Sequence, residues 1–329
     1  MIECAVVLAL GNHTPQSQLT FNRTHTMLPV LGKPLVVRTM ERLYRAGIRD
    51  YIVVIGESEG AVAAYINNQW LPNVNINFVI QPSHSSLSRT LAEIARRYAK
   101  PFIISGYNTL THSNFVKRLI EAHTGESNGL TITAGHSSLS KIASRSYLRK
   151  DDKAVIEMMT ATPSDSSVLA MAELAVCGTR FLEFLDHRAR STSGLSRDLR
   201  DVFAAYLKTG APAQMAETAW FLQVEADYDL LTANRLLLEE VVDTHILSEM
   251  PASVHITTPV RIDPQVSIGQ GAIIGPRAYL ESGCSIGHHA VVRNAVILQG
   301  AVIPAKTSVS DCIVTSRTQI YDPNRSQPS

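Results

Sequence analysis

Beyond Pro251 the chain keeps a period of six. Ile256, Ile262, Ile268, Ile274, Leu280, Ile286, Val292 and Leu298 follow one another at six-residue intervals. Two positions before each stands a small or apolar residue: Val254, Val260, Val266, Ala272, Ala278, Cys284, Ala290 and Val296. A helix repeats about every 3.6 residues and a strand about every 2, so neither produces this register. A triangular solenoid does, because each hexad forms one flat side with a large and a small residue turned inward. Gly269, Gly275 and Gly287 directly follow the aliphatic position, where the chain must turn between sides; a residue without a Cβ is least restricted there. Pro304 interrupts the phase, and a less regular coil through Val309 and Ile313 is expected to finish the stack. The reading is a left-handed parallel β-helix over residues 251–321, with a frayed tail over 322–329.

The first two-thirds has another rhythm. Short apolar runs at Cys4–Leu10, Tyr51–Gly56, Ile76–Gln81, Phe102–Gly106, Leu130–Ala134, Ala154–Met158 and Leu174–Cys177 read as strands. Amphipathic stretches at Leu35–Ala46, Leu87–Tyr98, Phe115–His123 and Leu195–Leu207 read as helices, and Asp227–Val242 as a further helix closing the domain. Strand and helix in alternation predict a Rossmann-like α/β domain over residues 1–245, built on a parallel sheet covered on both faces.

Charge narrows the function classes. A formal net charge of +1 with 18% charged residues supplies no field for nucleic acid or an anionic membrane. The run Ala5–Leu10 follows Glu3 and is too short to span a bilayer; it lacks the basic flank of a signal peptide. Cys4, Cys177, Cys284 and Cys312 are far apart, each in an apolar stretch, and no pair has metal-ligand spacing. They read as packing residues in a reducing compartment, so a cytoplasmic protein is expected.

One stretch carries chemistry. Leu8-Ala9-Leu10-Gly11-Asn12-His13-Thr14-Pro15 leaves a buried strand for a loop; Leu19 through Val30 then leads into Gly32-Lys33-Pro34-Leu35. Together with Ala233-Asn234-Arg235-Leu236-Leu237, this resembles the sugar-phosphate nucleotidyltransferases. That family joins a nucleoside triphosphate to a sugar 1-phosphate and releases pyrophosphate. The resemblance implies a nucleotidyltransferase domain followed by a β-helix, a nucleotide loop over Gly11, Asn12, His13 and Thr14, and Gln81 facing the base.

The charged members of the family's site are replaced. Pro15 stands where the loop arginine belongs, His13 at the second loop glycine, and His25, preceded by Thr24, at the lysine. Tyr107 takes the place of the aspartate that binds Mg²⁺ at a strand end. The second metal position falls at Leu222 or Gln223, with Glu225 the nearest carboxylate. Ser88-Arg89-Thr90 replaces the Gly-Thr-Ala beside the base, Ala161-Thr162-Pro163 the motif that holds the sugar phosphate, and Met171-Ala172-Glu173 its neighbour. Arg23, His25 and Arg89 are the cations left that could form a weak anion pocket. Negative charge built up in phosphoryl transfer needs cations and metal to neutralise it. The expectation is therefore a non-catalytic member, with no cofactor, acting as a regulatory, scaffolding or nucleotide-sugar-sensing subunit. A nucleotide or nucleotide sugar is the implied ligand; a homo-oligomer or a complex with an active homologue is the implied assembly.

Two alternatives stay open. The chain could be an active transferase with a rearranged site, which would need Mg²⁺. It could also be a hexapeptide-repeat acyltransferase with His288 or His289 as general base. Arg96-Arg97 and Arg197/Arg200 read as solvated helix faces without aromatic interleaving.

Overall fold

Cys4–Ala9 is a strand buried at every residue, as its unbroken apolar run requires. In the computed structural model it lies inside a nine-stranded sheet. The order is Asn75–Gln81, Asp50–Gly56, Cys4–Ala9, Phe102–Gly106, Val168–Cys177, Leu130–Gly135, Ala213–Thr218, Ala154–Met159, Tyr147–Asp151. The structure describes residues 2–11, 17–69, 73–123, 128–135, 146–151, 154–160, 168–190, 198–240 and 245–321. Chain contacts divide it into two units: Met1–His13, Thr24–Met27 and Leu35–Glu225 form the first, and Thr14–Arg23, Leu28–Pro34 and Ala226–Ser329 the second. The segment after Glu225 thus groups with the β-helix.

The sheet is mixed, where alternation predicted a parallel one. Its first four strands are parallel, but Val168–Cys177 runs antiparallel to both Phe102–Gly106 and Leu130–Gly135. The cause is local: Tyr147–Asp151 and Ala154–Met159 follow one another with no helix between them and pair antiparallel. A parallel return needs a long crossover; a reversal does not. Strands Tyr147–Asp151 and Ala213–Thr218 escape sequence reading because their polar composition (YLRKD, AQMAET) hides them among loops. Helices Gly60–Gln69 and Thr179–Arg190 escape it too. Leu87–Tyr98 matches its expected bounds and ends where Ala99 turns left-handed, φ 53°. Leu8, Phe102, Ile104, Leu130, Phe181 and Phe203 share one of the apolar cores of this unit.

In the second unit successive coils stack in parallel. His255 pairs with Ile273 and Ile273 with Val291, 18 residues per coil. Ile262, Ile268, Ile274, Leu280, Ile286 and Val292 all point into its core. The phase then changes, and earlier than Pro304. Leu280 pairs with Ile297, 17 residues on, and Val292 with Val309, also 17. Three residues, Gly275, Pro276 and Arg277, turn the corner between Ile274 and Ala278; only Arg293 and Asn294 lie between Val292 and Ala295. Asn294 and Asp311 complete the shortened corner with positive φ, 47° and 53°. Ile297, rather than Leu298, therefore takes the stacked position. After the last parallel strand, Ser308–Val314, the chain reverses, and Gln319–Tyr321 pairs antiparallel with Cys312–Val314.

The family-like Gly32-Lys33-Pro34 also belongs here. Pro29–Val30 and Lys33–Pro34 form a small hairpin. Asn234, on helix Asp229–Glu240, accepts from Leu31 N–H at 2.9 Å and donates to Leu230 O at 2.8 Å. Gly32 has φ 75°, and a Cβ there would lie 2.3 Å from an Arg261 nitrogen. Arg261 in turn donates to Asp263 at 2.7 Å, and the fully buried Tyr279 hydroxyl donates to the other oxygen of Asp263 at 2.7 Å. Two motifs that looked like nucleotide chemistry thus meet structural demands of the second unit.

All four cysteines are buried free thiols, and burial pushes Cys4 and Cys284 up to about 12. Among the described residues no helix is long and apolar enough to cross a membrane.

Candidate functional site

The strand order reverses between Cys4–Ala9 and Phe102–Gly106. Strands added after Cys4–Ala9 lie on one side of it, and Phe102–Gly106 lies on the other. Open α/β sheets bind ligands in the crevice at the carboxyl ends of strands flanking such a point. A cavity of about 310 Å³ sits there, within the first unit, lined by Leu8, Leu10, Gly11, Leu87, Tyr107, Asn108, Glu173, Asp198, Leu199, Arg200 and Glu225.

Tyr107 and His25, two replaced family positions, are partners. The Tyr107 hydroxyl lies 2.8 Å from His25 Nδ1, with both residues buried and the rings edge-to-face at 5.7 Å. Tyr107 is fixed from its backbone as well: its N–H donates to Leu8 O at 3.2 Å, and its carbonyl accepts the Thr39 hydroxyl at 2.6 Å. His25 sits in a single 3-10 turn held on both sides. Thr24 and Thr26 both donate their hydroxyls to Glu59, a carboxylate only 2% exposed. Glu59 also abuts Gly11, where a Cβ would lie 2.5 Å from its oxygen. Sequence reading passed over Glu59; its position three residues beyond the end of a parallel strand, Asp50–Gly56, was the available signal.

The opposite wall is charged. Glu173 projects from Val168–Cys177, and Arg200 comes from the first turn of helix Leu199–Leu207, capped by Asp198. Arg200 Nε is 3.3 Å from Glu173 and 3.6 Å from Asp198; its Nη1 is 3.8 Å from Glu225. Burial raises Glu173 from 4.5 to about 7, opposed by Arg200 and reinforced by Glu225 and Asp198. Burial pulls Arg200 down, but the surrounding carboxylates, Glu173 foremost, outweigh it and hold its pKa above the ordinary value. Gly106 borders the same cluster: a Cβ there would lie 2.8 Å from a Glu173 oxygen and 3.2 Å from Asn108 Oδ1. Asn108 is itself clipped, donating to Val224 O at 3.0 Å.

The remaining expectations divide. Glu225 lines the cavity. Gln223 is buried beside Glu173, whereas Leu222 is core. Gln81 folds back to donate to Ser85 O at 2.9 Å and Pro82 O at 3.2 Å. Arg89 is exposed, and Arg23 pairs at 2.6 Å with Glu281. Arg89 lies on the solvent side of its helix, and the partner of Arg23 is a carboxylate of its own, second unit. Arg200 is the reverse case. It was read as a solvated helix face, yet its side chain is 31% exposed and lines the cavity. Asn12, His13, Thr14, Pro15, Thr162 and the 322–329 tail lie outside the described residues. His288 and His289 are exposed at a corner of the solenoid. His288 Nδ1 accepts from Gln270 N–H at 3.1 Å, and the His289 ring covers Gly271. Among the described residues no group of three or more His, Cys, Asp or Glu is placed to hold a metal ion.

Residues 4–220 match the family described as "Nucleotidyl transferase". The chain belongs to the sugar-phosphate nucleotidyltransferase family. Residues 256–327 match a second family, "GMPPB C-terminal domain". Among named relatives, the "Bifunctional protein GlmU" of Exiguobacterium sp. is 21% identical, covering 96% of this chain and 71% of that protein. The "Bifunctional sugar-1-phosphate nucleotidylyltransferase/acetyltransferase" of Sulfurisphaera tokodaii is 22% identical, over 94% and 79%. A solved structure described as UDP-glucose pyrophosphorylase complexed with UDP-glucose superposes with a TM-score of 0.59. It covers 73% of this chain and 100% of that one at 14% identity, a likeness of fold.

Proposed function

We propose that this family member binds a sugar-containing ligand in its cavity without Mg²⁺-dependent nucleotidyl transfer. Its role is then that of a regulatory, scaffolding or nucleotide-sugar-sensing subunit, self-assembled or joined to an active homologue. The observation that carries the reading is the Tyr107–His25 hydrogen bond. Where the family resemblance implies a metal carboxylate and a lysine, a neutral phenol and an imidazole satisfy each other. A hard divalent cation selects carboxylate and other oxygen ligands, and a phenol committed to a histidine fits it poorly. The second metal position that the resemblance implies falls at Leu222 or Gln223, neither of them a carboxylate. Loss of one electrostatic donor costs ~10²–10³ in rate, and joint losses do not simply multiply.

A second reading is favoured by the names of the relatives. Two that match over more than nine-tenths of this chain are described as bifunctional, one of them as a sugar-1-phosphate nucleotidylyltransferase/acetyltransferase. On that reading Glu173 and Glu225 would have to hold Mg²⁺ in place of the replaced aspartate. One assay separates the two: pyrophosphate release by the full chain with Mg²⁺, each common nucleoside triphosphate and a panel of sugar 1-phosphates. The proposal expects no release above the protein-free rate. Release that depends on Glu173 and Glu225 would replace it with the second reading.

A further inference from the structure

Two residues of the cavity wall share one support behind them. Gly11 and Tyr107 both line the cavity; Glu59 stands behind them, 2% exposed. Its backbone is fixed in the turn that leads from strand Asp50–Gly56 into helix Gly60–Gln69. Glu59 N–H donates to Gly56 O at 3.0 Å, and Glu59 O accepts from Val62 N–H at 3.0 Å. The ends of two strands close around its stem, since a Cβ on Gly56 would lie 3.3 Å from Leu10 O and 3.7 Å from Glu59 Cγ.

Each oxygen of the carboxylate meets a different segment. Oε2 accepts the hydroxyl of Thr24 at 2.9 Å and that of Thr26. These residues stand on either side of His25, whose Nδ1 lies 2.8 Å from the Tyr107 hydroxyl. Oε1 lies against Gly11, where φ is 68° and a Cβ would sit 2.5 Å from it. A buried carboxylate is costly unless hydrogen bonds satisfy it, and the hydroxyls that satisfy this one are those that frame His25. An apolar side chain in its place would leave both hydroxyls without that acceptor and the turn without its anchor. We propose that Glu59 is a positioning residue of the binding site. It holds Gly11 by contact and Tyr107 through Thr24, Thr26 and His25, so that a ligand meets both walls in one fixed geometry. The inference rests on the reading that this cavity binds a sugar-containing ligand.

The experiment uses the full chain and watches the far end of the link. Nitrogen NMR shifts of the His25 imidazole report the hydrogen bond at Nδ1, and Tyr107→Phe gives their value once it is broken. Glu59→Ala should move them toward the Tyr107→Phe value, although it touches neither ring. Glu59→Gln, which keeps an oxygen for the hydroxyls, should stay near the parent. Gly11→Ala should move them as well, because its Cβ displaces Oε1. If Glu59→Ala does not fold, the double variant Thr24→Val/Thr26→Val cuts the same link and should give the same shift. Affinity is measured by calorimetry with UDP-glucose, GDP-mannose and UDP-N-acetylglucosamine. Whichever of these the parent binds, Glu59→Ala should bind about tenfold more weakly and Glu59→Gln within about threefold of the parent. The inference is overturned if the His25 shifts of folded Glu59→Ala, or of the double threonine variant, match the parent. Unchanged affinity in a variant whose shifts have moved overturns it too. If the parent binds none of the three, the ligand reading fails and the His25 shifts alone decide the role of Glu59.

Discussion

Two carboxylates, one in each unit, are handled in opposite ways. Asp263 is 5% exposed and both oxygens are taken at 2.7 Å, one by Arg261 and one by the Tyr279 hydroxyl. Glu173 has its arginine at a looser 3.3 Å, faces a cavity, and titrates near 7. The first holds a hairpin in place through Gly32 and Arg261. The second is held in a state the folded chain would relieve by protonation. A charge fully matched by its own chain serves the fold; a charge left partly unmatched at a cavity is available to a ligand.

Substitutions can break that contrast. The largest effect is expected for Asp263→Ala, which strands Arg261 and Tyr279 and should cost about 3–5 kcal/mol in denaturant unfolding of the second unit. Glu173→Gln should act with the opposite sign. The carboxyl of Glu173 is raised from 4.5 to about 7, so between those values the folded chain keeps a proton that the unfolded chain has lost. Stability therefore falls as pH rises through that window. The variant should melt higher than the parent at pH 8, by about 2 kcal/mol, with the advantage gone below pH about 4.5. A Tm–pH series in which parent and variant run parallel would deny Glu173 its special state.

Smaller effects sharpen the same contrast. Tyr107→Phe removes the hydroxyl bound to His25 and should cost about 1–2 kcal/mol in the first unit. Gly106→Ala should cost under about 1 kcal/mol, because the atom it meets is the mobile end of Glu173. It should nonetheless weaken sugar binding several-fold by moving that carboxylate; unchanged binding would place the ligand elsewhere.

How far the sequence could be read depended on the reach of the interactions involved. The solenoid was legible because each hexad repeats a local rule, and it failed where one residue was dropped at the Arg293–Asn294 corner, which no composition marks. The sheet was legible where strands are fully buried, as at Phe102–Gly106, and hidden where polar residues pair at its far side, as at Tyr147–Asp151. In the site, His25 and Tyr107 were each visible as a departure from a motif, but their bond spans 82 positions and needed the fold. Arg200 was misjudged for a related reason. On a helix wheel it belongs with the exposed face, and carboxylates from elsewhere in the chain, Glu173 foremost and Glu225 with it, turn it inward. Gly32 and Asn234, motif residues by resemblance, proved to be joinery of the second unit.

A stack of parallel strands carries no intrinsic limit: each coil offers the next an edge like its own, and a second molecule can supply that coil as well as the same chain can. Here the direction of the backbone is reversed at the end, with Gln319–Tyr321 laid antiparallel against Cys312–Val314. An incoming parallel strand finds those hydrogen-bonding groups already engaged and running the wrong way. Over that stretch the reversal denies a second molecule the parallel template that a further coil would need.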